Sequence, residues 1–175
     1  MKKINFIGRY VAIFLSVTVF TSIVTSCKEN DDDIVKPKTI TDIILQNSEF
    51  SIMREIVLGA DLSDELRGEN ITLFAPNDAA FRSSAITSGL VLGMKPDSAR
   101  AFVLKHIIKE NLSFNSLKAA PGNHKSAFDN YNVLVKIASS SDSSVTVNGA
   151  NIITRNVNAD NGTIQVVNKP LVTLK

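Results

Sequence analysis

The chain has 175 residues, enough for one ordinary domain and a processing segment but not for two domains with full cores. Its single cysteine excludes an internal disulfide framework and a cysteine-based zinc cluster. Three of the 19 basic residues precede position 10, and all 17 acidic residues follow position 27. The rest of the chain therefore has 16 basic and 17 acidic residues, and this nearly neutral balance does not indicate a nucleic-acid partner.

Residues 1–26 have the pattern of a secretory signal peptide. Lys2, Lys3 and Arg9 precede an uncharged run over residues 10–26 that is rich in valine, isoleucine, leucine and phenylalanine. This run is at the lower edge of what spans a bilayer, for which about 20 residues are needed. A cleaved signal peptide is therefore favoured over an uncleaved membrane anchor.

Cys27 ends this run in the order Val24-Thr25-Ser26-Cys27, which resembles the lipobox of bacterial lipoproteins. The resemblance implies cleavage before Cys27 and its acylation, for example with palmitate. Several acyl chains would hold a protein of this size at a membrane, because each buried methylene contributes about 0.8 kcal/mol. An ordinary free cysteine is the alternative interpretation.

Residues 27–38 are predicted to form a lipidated tether, closed by Pro37. The tether has four acidic residues after Lys28, namely Glu29, Asp31, Asp32 and Asp33. It resembles the acidic tethers that direct some Gram-negative lipoproteins to the outer face of the outer membrane, and a plain solvated linker is the alternative. We therefore expect a lipid-anchored outer-membrane protein at the cell surface, with the periplasmic face as the alternative location.

Helices are predicted at the start of the remaining chain. From Thr39 onward, apolar residues recur at intervals of three and four, which indicates two short helices. Asn47 can cap the second helix and Gly59 can end it. Residues 62–68 predict one further turn.

A strand, a turn and a helix are predicted next. The β-type run over residues 70–75 is broken by proline, and Asn77 can cap a helix over residues 79–82. This arrangement predicts that Phe74 and Phe81 both face the core.

A longer helix is predicted over residues 97–109, started by Pro96. His106 is a polar residue in otherwise apolar surroundings of this helix. We therefore expect His106 to be partly buried, with its ring nitrogens hydrogen-bonded, in a structural rather than a ligand-binding role.

The second half of the chain is predicted to be β-rich, with alternating valine and isoleucine residues. Asn148-Gly149 and Asn161-Gly162 separate these runs and predict type I′ hairpin turns. The serine run over residues 139–144 predicts another hairpin loop. Helices in the first half and strands in the second indicate an α+β fold rather than a repeating βαβ sheet.

Three blocks of sequence resemble the fasciclin (FAS1) domain family. They are residues 71–81, residues 103–108, and the pair 147–150 with 161–167, in family order within a predicted domain over residues 39–175. The resemblance implies helices packed on a twisted antiparallel β-sandwich or wedge. The structural motif residues that it implies are Phe74, Ala75, Pro76, Asn77, Phe81, His106, Asn148, Gly149, Asn161 and Gly162.

The resemblance also implies a module for adhesion or protein binding. Adhesive members of the family have a Tyr-His pair where this chain has Lys105 and His106, and an acidic residue where it has Asn156. Lys105, His106 and Asn156 are therefore the candidate binding residues. An integrin-type contact through that acidic residue is not predicted, because Asn156 has no carboxylate.

No catalytic constellation is evident in the sequence. After the signal peptide there are two histidines, His106 and His124, and no nucleophile elbow, phosphate-binding glycine loop or histidine pair at metal-binding spacing. The acidic residues of the tether lie on a segment too flexible to fix coordination geometry. We therefore expect no enzymatic activity, no catalytic residue, no metal and no cofactor.

The expected partners are the membrane, through lipid on Cys27, and an extracellular or envelope protein. A glycan is the alternative ligand, in which case the protein would capture a polysaccharide or small nutrient for an outer-membrane uptake system. Sugar sites commonly use aromatic platforms, and this chain has no tryptophan and a single tyrosine, Tyr131, after the signal peptide. The sequence thus favours a protein ligand.

Overall fold

The computed structural model describes residues 38–138 and 144–174. These described residues belong to one compact unit. The predicted signal peptide, Cys27, the acidic tether and most of the serine run lie outside the described residues, so what the sequence indicates for them stays a prediction.

Helices dominate the first part of the domain. Within the described ranges they are α1 (Ile40–Gln46), α2 (Ser51–Gly59), α3 (Asp78–Ser83), α4 (Ser88–Leu92), α5 (Pro96–Leu104) and α6 (Phe114–Ala119), with 3₁₀ turns at Ser48–Phe50 and Glu65–Arg67. Helix α1 begins with a capping box, in which Thr39 and Asp42 each accept a hydrogen bond from the backbone N–H of the other. The predicted end of the second helix at Gly59 is confirmed.

The strands form a single mixed sheet. They are β1 (Ile71–Pro76), β2 (Ile107–Ile108), β3 (Gly122–Lys125), β4 (Asn132–Ile137), β5 (Val145–Val147), β6 (Ala150–Ala159) and β7 (Gly162–Val167), in the order β2-β1-β7-β6-β5-β4-β3. Strands β1 and β7 pair in parallel, whereas the other neighbours are antiparallel. The predicted α+β fold is confirmed, with the parallel pair as an unpredicted feature.

Strand β1 supplies side chains to two apolar clusters, because successive residues of a strand point to opposite faces. Leu73 and Ala75 join the cluster that contains the buried residues of α1, α2 and α5. Phe74 joins the cluster of α6, β4 and β5. Phe81 belongs to the first cluster, so the two phenylalanines that were expected to share a core are buried in different ones.

The helix predicted over residues 97–109 ends at Leu104, so that prediction was wrong at its C-terminal end. Ile107 and Ile108 form β2 and pair with β1, with Thr72 opposite Ile108 and Leu73 opposite Ile107. The apolar residues at positions 107 and 108 fit either the end of a helix or a short buried strand. They form a strand because they pair with β1, which is distant in the sequence. His106 thus lies in the turn between α5 and β2.

The two Asn-Gly pairs have different roles. Asn148 and Gly149 have φ angles of 48° and 77°, as a type I′ turn requires. Asn161 is the second residue of the turn before β7, and neither Asn161 nor Gly162 has a positive φ, so the predicted type I′ turn there is wrong. Gly162 is needed for space instead, because a Cβ atom at that position would collide with the backbone carbonyl of Ile71.

Candidate functional site

His106 is fully buried and both of its ring nitrogens are hydrogen-bonded. Nδ1 lies 2.7 Å from the Phe102 carbonyl oxygen, and Nε2 lies 3.0 Å from the backbone nitrogen of Leu171, which donates to it. These partners fix the neutral ring with its proton on Nδ1. Burial lowers the pKa of His106 to about 4, although the hydrogen bond to the Phe102 carbonyl acts in the opposite direction.

The role of His106 is therefore to connect two segments of the domain. Its ring centre lies 4.3 Å from that of Phe102 on α5, and its Nε2 atom holds the backbone that follows β7. A side chain with both nitrogens engaged inside the core offers no free atom to a ligand at the surface. Among the candidate binding residues, His106 thus belongs to the interior.

Lys105, the neighbour of His106, is partly exposed and lies beside two aromatic rings. Its Nζ atom is 4.7 Å from the ring centre of Phe128 and 5.4 Å from that of Tyr131, within the range of cation–π attraction. We call Lys105, Phe128 and Tyr131 the aromatic–lysine cluster. The sequence singled out Lys105 but not its aromatic partners, which lie on the loop between β3 and β4.

The Asn148-Gly149 turn supports this cluster. Asn148 Nδ2 donates to the Tyr131 hydroxyl over 2.9 Å, and Asn148 Oδ1 accepts from the backbone nitrogen of Leu134 over 2.8 Å. The Tyr131 oxygen accepts this bond, which leaves its hydrogen available to donate. A turn that the sequence marked as structural therefore also positions a phenol at the surface.

A surface cavity of about 560 Å³ adjoins the aromatic–lysine cluster. Its lining residues are Lys125, Ser126, Phe128, Asp129, Asn130, Tyr131 and Asn132. Asn130 has a φ of 58°, which lets the loop turn tightly between the two aromatic residues. The cavity thus combines aromatic faces, side-chain amides and charged groups within one short loop.

Asn156, the third candidate binding residue, is exposed, but its side-chain amide bonds to other parts of the domain. It lies at an irregularity of β6 and has a φ of 52°. Its Oδ1 atom accepts from the backbone nitrogen of Phe114 over 2.7 Å and from Gln165 Nε2 over 2.8 Å. The amide thereby joins the start of α6 to the sheet, which is a structural role.

Asn161 is a buried connection between the sheet and the first helices. Its Oδ1 atom accepts from the backbone nitrogen of Ile40 over 2.9 Å, and its Nδ2 atom donates to the carbonyl oxygens of Leu66 and Gly68 over 2.7 and 2.9 Å. Three backbone groups that would otherwise be unpaired are satisfied by one side chain. Asn161 and Asn77, which caps α3 by accepting from the backbone nitrogen of Ala80, both have fold-building roles.

Residues 38–138 and 144–174 contain no group of three or more histidine, cysteine, aspartate or glutamate side chains that could hold a metal ion. In the same ranges, every helix is too short or too polar to cross a membrane.

Comparison with known proteins agrees with the fold. The chain is 26% identical over 157 residues to a protein named "Heme ligase" of Plasmodium falciparum (isolate 3D7), covering 77% of this chain and 76% of that protein. It matches the structure of a FAS1 domain pair from the insect cell adhesion molecule Fasciclin I with a TM-score of 0.62 and 13% identity. That match covers 78% of this chain but only 51% of the domain pair. The fasciclin domain profile matches residues 48–173, and the chain therefore belongs to the fasciclin domain family.

Proposed function

We propose that this protein is a lipid-tethered, non-catalytic binding module that contacts an extracellular or envelope protein in adhesion. A fasciclin domain is a module type of cell adhesion proteins, which supports the binding role. The lipobox-like sequence before Cys27 supports attachment through lipid. The acidic residues that follow favour the outer membrane and its outer face, with the periplasmic face as the alternative.

The observation that carries the protein-binding role is a set of exposed leucines on two helices that pack together. Leu58 on α2 is 55% exposed, and Leu90 and Leu92 on α4 are 51% and 76% exposed. We call these three residues the leucine surface. Single exposed apolar residues are common, but three large ones on two helices that pack together offer apolar contacts of the kind that protein-binding faces use.

The buried polar side chains support a role without catalysis. In the described part of the chain, His106 and Asn161 bond to backbone groups, and Gln165 bonds to Asn156 and to the backbone of Leu112. Catalytic groups need a free functional atom within reach of a substrate. These polar groups instead join helices, strands and the C-terminal segment to one another.

The histidines of this chain do not support the activity that the name of the Plasmodium falciparum relative suggests. His106 is buried with both nitrogens engaged, and His124 is a solitary histidine whose Nε2 atom lies 3.0 Å from the Ala120 carbonyl oxygen. The residues therefore favour the binding module over a heme-directed activity.

The alternative function is capture of a polysaccharide or small nutrient for an uptake system. One observation favours it, namely the cavity in which Phe128 and Tyr131 lie beside amide side chains. Aromatic and amide groups around one cavity suit a sugar ligand. The three residues of the leucine surface carry no such polar groups, and we therefore keep protein binding as the main proposal.

Replacing Cys27 with alanine is expected to remove the lipid and release the protein from the membrane. Cells producing the wild-type chain should incorporate labelled palmitate into a membrane-bound protein, whereas Cys27→Ala should stay unlabelled and become soluble or unprocessed. Fractionation and gel detection of the label measure both effects. Membrane retention of an unlabelled Cys27→Ala protein would show that the anchor is not lipid on this residue.

The double substitution Leu90→Glu and Leu92→Glu is expected to weaken adhesion of cells carrying the protein to a panel of extracellular matrix proteins by about tenfold, because both apolar contacts are lost. Ile153→Glu, at a residue of β6 that is 51% exposed, is the matched control and should retain adhesion. Melting temperatures of the variants report on folding. Equal loss of adhesion in both variants, or none in the double variant, would rule out the leucine surface as the binding face.

A further inference from the structure

We propose that the cavity beside the aromatic–lysine cluster binds an acidic sugar residue, such as a uronic acid unit of a polysaccharide. This cavity contains no residue of the leucine surface, and a sugar could bind there without the lipid tether or a protein partner. The ligand is specified by its negative charge and not only by being a sugar.

The shape and the aromatic lining of the cavity suit a sugar ring. Its volume of about 560 Å³ lies within the range of about 300–1,000 Å³ found for small-ligand sites. Phe128 and Tyr131 are partly exposed and both line the cavity. Aromatic faces can pack against the C–H groups of a sugar ring without using any of its hydroxyls.

The polar groups of the cavity suit the hydroxyls of a sugar. The side chains of Asn130 and Asn132 are exposed and can each donate and accept hydrogen bonds. Ser126 is different, since its hydroxyl already donates to the Phe128 carbonyl and accepts from the Phe128 backbone nitrogen. Those two bonds hold the backbone of the loop at Phe128 in place before any ligand arrives.

The charges near the cavity favour an acidic sugar. Lys105 Nζ lies over both aromatic rings, and in the described part of the chain no carboxylate lies within ion-pair distance of it. Lys105 is not a lining residue of the cavity but contacts two of the rings that line it, whereas the lining itself contains one cation, Lys125, and one acidic group, Asp129. With Lys105 beside these rings, two ammonium groups against one carboxylate favour a negatively charged ligand, and charge-assisted hydrogen bonds are stronger than neutral ones.

The test is a calorimetric titration of the purified full-length protein with galacturonic acid trimer and with the neutral galactose trimer. Saturable binding of the acidic trimer, at least about tenfold tighter than binding of the neutral one, is expected from the loss of charge-assisted hydrogen bonds in the neutral sugar. Equal affinity for the two trimers would overturn the proposal, as would no binding of the acidic trimer. Equally tight binding of a triglutamate peptide would also overturn it, because the site would then recognise carboxylates without a sugar.

Two substitutions connect the binding to the cluster. Phe128→Ala removes an aromatic face, and Lys105→Met removes the charge while keeping most of the side-chain length; each should weaken binding of the acidic trimer by about tenfold or more. Lys95→Met, at an exposed lysine before α5, is the control and should bind as the wild type does. Unchanged binding in Phe128→Ala and Lys105→Met proteins with wild-type melting temperatures would overturn the proposal.

The same titration distinguishes sugar binding at the cavity from protein binding at the leucine surface. The Leu90→Glu and Leu92→Glu variant should retain full affinity for the acidic trimer, because its substitutions lie outside the cavity lining. Loss of sugar binding in that variant, with its fold intact, would contradict the assignment of the sugar to this cavity.

Discussion

Replacing Gly162 with alanine is expected to destabilise the domain severely. Gly162 opens β7 directly opposite Ile71 in the parallel β1–β7 pair. A Cβ atom at position 162 would lie 2.9 Å from the carbonyl carbon of Ile71 and closer still to its oxygen. Backbone atoms in the middle of a sheet cannot move aside as a flexible side chain can, so the strands must separate.

The expected cost is more than about 4 kcal/mol, a large part of the stability of a typical domain of about 5–15 kcal/mol. Soluble yield and urea unfolding followed by circular dichroism measure it. Gly59→Ala is the matched control, because nothing lies within 4 Å of a Cβ atom there and the residue ends α2. It should be neutral or stabilising by up to about 1 kcal/mol. A Gly162→Ala protein that unfolds at the wild-type urea concentration would contradict this explanation of the glycine.

The domain is expected to lose stability as the pH falls from about 6.5 to about 4. The pKa of His106 is lowered by burial from 6.5 to about 4 in the folded protein, so the unfolded chain binds a proton at a higher pH than the folded one. Stability from the neutral ring is therefore fully present above pH 6.5 and is lost as the pH approaches the folded pKa. The expected loss is about 3 kcal/mol.

Urea unfolding at pH 7, 6, 5 and 4.5 measures this loss. Stopping at pH 4.5 limits the contribution of Glu65, whose pKa is lowered by its hydrogen bond from Arg100 and whose stabilising effect is lost only in more acid solution. His106→Gln should be less stable at pH 7 but nearly independent of pH in this window, whereas His124→Gln should keep the wild-type dependence. A wild-type pH profile in His106→Gln would assign the effect to other groups.

Local features of the fold could be predicted from the sequence. Asn77 caps α3 and the Asn148-Gly149 turn has the predicted positive φ angles, because a cap or a tight turn depends on a few adjacent residues. Features that depend on residues distant in the sequence could not be predicted in this way. Ile107 and Ile108 become a strand because β1 lies beside them, and Gly162 is required by Ile71 rather than by a turn.

The candidate site was predicted only in part, for the same reason. Lys105 stood out because it precedes His106, but Phe128 and Tyr131 reach it from a loop that follows β3. The sequence placed Lys105 and His106 together as binding candidates, whereas the end of α5 at Leu104 puts one at the surface and the other in the core. Asn156 was matched to a binding position, yet its amide is occupied by Phe114 and Gln165.

Binding of the isolated domain tests the central proposal most directly. Residues 36–175, produced without lipid, would be titrated against a panel of matrix proteins and of bacterial and plant glycans, with heat-unfolded protein as the control. We predict saturable binding of at least one matrix protein by the folded domain and none by the unfolded chain. Binding of no protein in the panel by the folded domain, or equal binding by the unfolded chain, would contradict a protein-binding adhesion module.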